Sequence, residues 1–285
     1  MNQRRLGIVY VLISAASFGA MAIFANLAYT AGATPITVLF LRFSLAGLIM
    51  LAYIRIKKIA IPRGRLLLIT ILMGAVGYAG QSFSFFTALL YASSGTVAIL
   101  LYLHPALVAL FAVFAGHRIT LPEVIALILA LLGTVCVIGF EMQGEPLGII
   151  LGLMAALIYS LYIMTGTRVM SQADVRASST VIMLSAAMVY TLAVGIKGID
   201  LPATPAGWAG IFGIVVFSTV VAIVTFFEGL TRIGPVHATM LSTLEPVVTV
   251  ILAWVFFKEG LTVLQYLGGG MILAAGVLLA RKPAA

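Results

Sequence analysis

The sequence predicts an all-α integral membrane protein of ten transmembrane helices, built as two inverted five-helix repeats. Three observations predict it. Hydrophobic residues make up 63% of the chain and charged residues only 8%, with a mean hydropathy of +1.22. A soluble domain carries about 25% charged residues, so this chain cannot coat a water-exposed surface, and lipid is the remaining solvent. The apolar residues fall into ten runs, most of them near the ~20 residues that cross a hydrocarbon core. Finally, the second half of the chain echoes the first at an offset of 141 residues.

The runs span roughly 6–29, 35–54, 66–90, 95–115, 121–140, 147–166, 179–196, 206–231, 236–257 and 263–280. None shows the period-two alternation of a membrane β-barrel strand, so each reads as a helix. Ten such helices leave only short loops and no room for a soluble domain. With a cytoplasmic N-terminus, the inner segments hold Arg4, Arg5, Arg55, Lys57, Lys58, Arg63, Arg65, Arg118, Arg168, Arg176, Arg232, Arg281 and Lys282, which is 13 of 16 cations. The outer loops hold Lys197 and Lys258, and Arg42 lies inside the second helix. Glu141, Glu145, Asp200 and Glu259 lean outward. This segregation supports ten spans with both termini cytoplasmic. It also accounts for the net charge of +8 without nucleic acid as a partner. Cys136 is the single cysteine, so no internal disulfide forms.

The offset of 141 pairs Leu6-Gly7-Ile8 with Leu147-Gly148-Ile149, Phe85-Phe86 with Phe226-Phe227, and Pro105 with Pro246. Each unit holds five helices, and an odd number inverts the second unit in the membrane. The expected domains are residues 1–141 and 142–285, with the first helix retained as the start of a repeat rather than cleaved as a signal peptide. Inverted repeats are a common construction of secondary transporters, with the site near the midplane between them.

Three stretches carry a family resemblance: Leu41-Arg42-Phe43-Ser44-Leu45-Ala46-Gly47; Leu244-Glu245-Pro246-Val247 followed by Phe257-Lys258-Glu259-Gly260-Leu261-Thr262; and the glycine-rich Gly268-Gly269-Gly270-Met271-Ile272-Leu273-Ala274-Ala275-Gly276. In these the chain resembles the drug/metabolite transporter superfamily, in its ten-helix EamA-type branch, over nearly its whole length. The aromatic-rich third and fourth helices resemble those of amino-acid exporters. The first repeat departs from the family pattern, because His104 stands where an acidic residue usually precedes the proline.

Ionisable groups inside a membrane helix cost about 2.5–3.5 kcal/mol on insertion scales and are functional candidates by default. Arg42, His104 and Glu245 are the deep ones. His104 and Glu245 occupy matching repeat positions, each before a proline. Pro105 and Pro246 are expected to act as hinges that free the carbonyls of Leu101 and Ser242. The same pair also reads as a lock that satisfies itself across the repeat axis. Thr239, Ser242, Glu245 and Thr249 share one face of the ninth helix, a candidate cavity stripe. Tyr78, Gln81, Ser82 and Phe85 form a second stripe on the third helix, with Tyr102, Tyr159 and Tyr162 adding aromatic surface. Gly74, Gly77, Gly80, Gly148, Gly152 and Gly268-Gly269-Gly270 read as close-packing faces.

No Walker sequence, Ser-His-Asp arrangement or metal spacing is present. Transport is therefore expected to be secondary or facilitated, without cofactor, metal or enzymatic activity. The expected function is inner-membrane export of small metabolites, with neutral or aromatic amino acids as cargo. In that reading Glu245 meets the ammonium group, His104 or Arg42 meets the carboxylate, and tyrosines line the side-chain pocket. Proton coupling through His104 is compatible with its usual range. A multidrug exporter of lipophilic cations is the alternative, and a membrane enzyme or a non-transporting sensor or assembly protein stands in another class.

Overall fold

A computed structural model of the chain describes residues 2–139, 144–257 and 261–281. Glu141, Lys258, Glu259, Gly260 and Lys282, all used above, lie outside the described residues. Ten membrane helices are present: α1 (Gln3–Thr30), α2 (Pro35–Ile56), α3 (Gly64–Ala88), α4 (Ser94–Leu101 and His104–Phe114), α5 (Leu121–Ile138), α6 (Pro146–Met170), α7 (Val175–Lys197), α8 (205–233), α9 (235–242 and Glu245–Phe257) and α10 (Val263–Arg281). Nine apolar stretches are long enough to span, and the second half of α9 is shorter.

Helix ends follow local chemistry. Asn2 and Asp174 cap α1 and α7 with side-chain oxygens. Proline occupies the first turn of α2, α5, α6 and α8, where its missing N–H costs nothing. Thr120 and Glu123 form a reciprocal capping box on α5. No loop separates α8 from α9. Gly234 alone adopts φ 79° and ψ 164° there, and Pro235 forces that departure by excluding the helical region from the residue before it.

The packing obeys the repeat. α1 packs on α8 and α3 on α6, while α2 meets α7 and α5 meets α10. Exchanging the two units (α1 for α6, α3 for α8) turns the α1–α8 contact into α3–α6 and leaves α2–α7 and α5–α10 in place, as a pseudo-two-fold axis requires. Small residues permit the closest approaches. A Cβ on Gly133 would lie 2.7 Å from the Gly268 carbonyl oxygen, and one on Gly47 would lie 2.7 Å from Leu184. Gly80 and Gly270 do not serve this purpose, since each faces open space.

Two further features obey the exchange. α3 widens into a π-helical turn at Met73–Tyr78, and α8 does the same at Val216–Val221. α4 breaks at residues 102–103 and α9 at 243–244, one residue before His104 and Glu245. Leu103 N–H bonds to Leu100 O and Leu244 N–H to Leu241 O, each at 3.2 Å.

The α5–α10 contact tolerates no side chain at its centre. Gly133→Leu should lower the thermal midpoint of the purified protein, by the equivalent of about 1–3 kcal/mol for an overpacked contact. Gly270→Ala should leave it unchanged. Equal midpoints for both variants would contradict the packing described.

Candidate functional site

A cavity of about 530 Å³ sits between the repeats. Its walls come from the second half of α1, the first half of α2, the second half of α3 and the first half of α4. By chain order these four half-helices share one side of the bundle, the face opposite the termini. Tyr159 of α6, Ile214 of α8, and Glu245 and Thr249 of α9 close its inner end.

Arg42 is the most heavily engaged group in the cavity wall, and it is 5% exposed. Its Nε donates to Thr219 Oγ1 at 2.8 Å, and its Nη2 donates to Tyr78 Oη at 2.9 Å and to the Ser218 carbonyl at 3.2 Å. Tyr78 and Thr219 differ by 141 in number, so one guanidinium bridges matching positions of the two repeats. Both partners lie in the π-helical turns. Thr219 Oγ1 in turn donates to Ile214 O, five residues back, at 2.8 Å. The guanidinium also stands 5.0 Å from the Phe43 ring centroid and 5.7 Å from that of Tyr78. Among the described residues no carboxylate lies in ion-pair contact with it, and its Nη1 makes no hydrogen bond. Arg42 lines the cavity, and that nitrogen retains its donor capacity.

Glu245 is the opposite pole. It occupies the first turn of the second half of α9, where the helix dipole favours an anion. Tyr102 stands with it in the cavity wall. The break that places it is braced by α1: a Cβ on Gly19 would lie 2.8 Å from Glu245 O, and Thr249 Oγ1 donates to Gly19 O at 3.0 Å. The sister break is braced from the matching position of α6, where Ser160 Oγ donates to His104 O at 3.3 Å.

His104 does not pair with Glu245. Its Nδ1 lies 3.0 Å from Leu101 O, the carbonyl that Pro105 leaves without a backbone donor. A carbonyl only accepts, so Nδ1 carries a proton, and in the neutral ring Nε2 is an acceptor. The carbonyl of Leu101 freed by the break is thus engaged by His104. Between the two poles runs a ladder of rings. Phe43 meets Tyr78 at 5.2 Å, Tyr78 meets Tyr162 at 5.4 Å, and Tyr162 meets Tyr159 at 6.0 Å. Tyr159 then meets His104 at 4.8 Å, and His104 meets Tyr102 at 6.1 Å.

Of the residues singled out from sequence, Glu245, His104, Tyr78, Gln81, Ser82, Tyr102, Tyr159 and Arg42 line the cavity. Thr239, Ser242 and Tyr162 do not border this cavity. Thr239 Oγ1 donates to Pro235 O at 2.9 Å and Ser242 Oγ to Thr239 O at 2.8 Å. Hydroxyls that bond back to their own helix need no aqueous face. Thr239 and Ser242 match Ala98 and Leu101, which do line the cavity. The first half of α4 is thus withdrawn from the centre, whereas the first half of α9 is packed in. Sequence reading also missed the α1 wall: Phe18, Met21, Ala22, Ala25, Asn26 and Tyr29. Their spacing of three and four residues, around a lone Asn in an apolar run, was the signal available.

The face bearing the termini is tied shut by polar contacts. Glu228 pairs with Arg232 at 2.5 Å and with Arg176 at 3.8 Å. Arg232 also reaches Gln3 at 3.3 Å, and Arg4 donates to Leu279 O at 2.5 Å. Glu123, 2% exposed, has His237 of α9 at 3.5 Å and His117 at 3.9 Å.

The EamA-like transporter family matches the chain twice, over residues 5–139 and 146–281. The protein belongs to that family, a class of multi-pass membrane transporters. It is 26% identical to the Escherichia coli (strain K12) protein named "Uncharacterized inner membrane transporter YedA", over 86% of this chain and 81% of that one. It is equally 26% identical to an "Uncharacterized transporter" of Archaeoglobus fulgidus, over 97% and 96%, and to "Uncharacterized transporter YcbK" of Bacillus subtilis (strain 168), over 95% and 91%. A protein crystal structure superposes with a TM-score of 0.82 at 20% identity, covering 98% of this chain and 99% of that one, which shows the shared fold.

The inequality between α4 and α9 is open to measurement. In a Cys136→Ser background, a water-soluble thiol reagent should label Ala98→Cys much faster than Thr239→Cys, since the second position is fully buried. Equal rates would show that both half-helices face water.

Proposed function

We propose that this protein is a secondary or facilitated transporter that exports small metabolites, with neutral and aromatic amino acids as its cargo, by alternating access across the inner membrane. In this reading the units 1–141 and 142–285 rock against each other, and both termini are cytoplasmic. The cavity then opens away from the cytoplasm, with the cytoplasmic side closed by the Glu228 and Glu123 contacts.

The observation that carries the cargo assignment is the pair of unlike poles in one cavity. Arg42 offers an unbonded N–H, which suits a carboxylate. Glu245 and the acceptor nitrogen of His104 suit an ammonium group. The ring ladder between them suits an apolar or flat side chain. A cavity of about 530 Å³ lies within the usual range for small-molecule sites. A lipophilic cation is the second reading, supported by Glu245 among aromatic rings; the guanidinium in the same wall disfavours it.

Counterflow of labelled amino acids in proteoliposomes tests the assignment. Glu245→Gln and Arg42→Met should each reduce amino-acid flux by roughly 30-fold or more, as removal of one partner from a desolvated charge pair costs about 2–5 kcal/mol. Normal flux in Glu245→Gln would refute the ammonium role. Inhibition by quaternary amines with none by amino acids would favour the cation reading instead.

A further inference from the structure

The connection between α2 and α3 holds Arg55, Lys57, Lys58, Arg63 and Arg65 within eleven residues, all exposed. Among the described residues none of the five side chains makes a hydrogen bond, ion pair or ring contact, and no acidic residue occurs in the stretch. By contrast, Arg4, Arg176 and Arg232 on the same face each engage a protein partner.

The second repeat supplies an internal control. Its α7–α8 loop, residues 198–204, is the counterpart of residues 57–63 and emerges on the opposite face. Thr204 starts α8 with φ −123° and ψ 153°, as Arg63 starts α3 with φ −127° and ψ 162°. The two helix starts are thus alike, while the charge is not: the sister loop carries Lys197 and Asp200, which cancel. The two helix ends differ: α7 ends on Gly198 at φ 86° and ψ 176°, whereas α2 ends on Lys57 at φ −81° and ψ −1° and the next residue, Lys58, adopts φ 54°. Lys58 is the only non-glycine residue with positive φ among the described residues. Glycine takes that conformation without strain and lysine does not. Orienting the chain requires cations near the helix end, but it does not require one at a position that favours glycine.

Two further observations select the partner. Ile56 and Ile61, 77% and 39% exposed, flank the cations, so acyl chains and headgroup meet the same loop. The first turn of α3 begins at Gly64 with no acidic residue in it, and a helix N-terminus adds partial positive charge. We propose that the α2–α3 loop is a binding site for an anionic phospholipid headgroup of the adjoining leaflet, with Lys58 held at its centre by the left-handed turn. The loop joins α2, which carries Arg42, to α3, which carries Tyr78, so an occupied site bears on both helices of the cavity wall.

The test is thermal unfolding of the full-length protein in mixed micelles, titrated with phosphatidylglycerol against phosphatidylcholine. Phosphatidylglycerol should raise the midpoint. Lys58→Gly removes a charge while relieving the backbone, so it should fold as well as the natural protein yet need about fivefold more phosphatidylglycerol for the same shift, the loss expected per surface cation. The variant R55Q/K57Q/K58Q/R63Q should lose the response, and R118Q/R168Q on the same face should keep it. The proposal is overturned by no shift in the natural protein, by an undiminished response in K58G or the fourfold variant, or by an equal shift with glycerol phosphate alone, which would mark a free-phosphate site.

Discussion

One buried cation organises the centre of this protein. Arg42 has no carboxylate to neutralise it and is held by two hydroxyls and a carbonyl. A guanidinium in a membrane helix must find such partners or leave the low-dielectric region. Its partners sit at matching positions of the two repeats, so satisfying Arg42 also sets how closely α3 and α8 approach α2. The π-helical turns belong to the same solution. A wider turn leaves a carbonyl for the side chain five residues on, and Thr219 uses Ile214 O in that way while accepting from Arg42. Symmetry ends at the cation itself, because the residue matching Arg42 in the second repeat is Met183.

The helix-forming plan was legible from sequence because lipid makes it so: apolar runs, cation segregation and the 141-residue echo are all one-dimensional signals. The breaks in α4 and α9 were legible as well, from His104-Pro105 and Glu245-Pro246. Two things were not. Hydroxyl residues on one helical face look alike whether they line water or bond to their own backbone, so Thr239 and Ser242 were assigned to a cavity they do not reach. The π-helical turns leave no residue signature, since Met73–Tyr78 and Val216–Val221 are ordinary apolar helix by composition. Tyr78 could be placed on the right stripe, yet its bond to Arg42 depends on that extra residue per turn.

The lone pole in each half has a related origin. Near-identical folds in the two repeats place His104 and Glu245 alike, but the partners differ. His104 spends one nitrogen on the carbonyl that its own proline releases, whereas Glu245 makes no such bond to Ser242 O among the described residues. The same backbone event thus leaves a ring bonded to the freed carbonyl in one repeat and a carboxylate in the cavity wall in the other.

The junction at Gly234 and Pro235 has a mechanical meaning. Elsewhere a few loop residues insulate one span from the next. Here α8 passes into α9 through a single non-helical residue, so a swing of the first half of α9 turns about one pair of backbone torsions and pulls directly on the helix that holds Ser218 and Thr219. In the proposed alternating access, the grip on Arg42 and the position of that half-helix would be two ends of one lever.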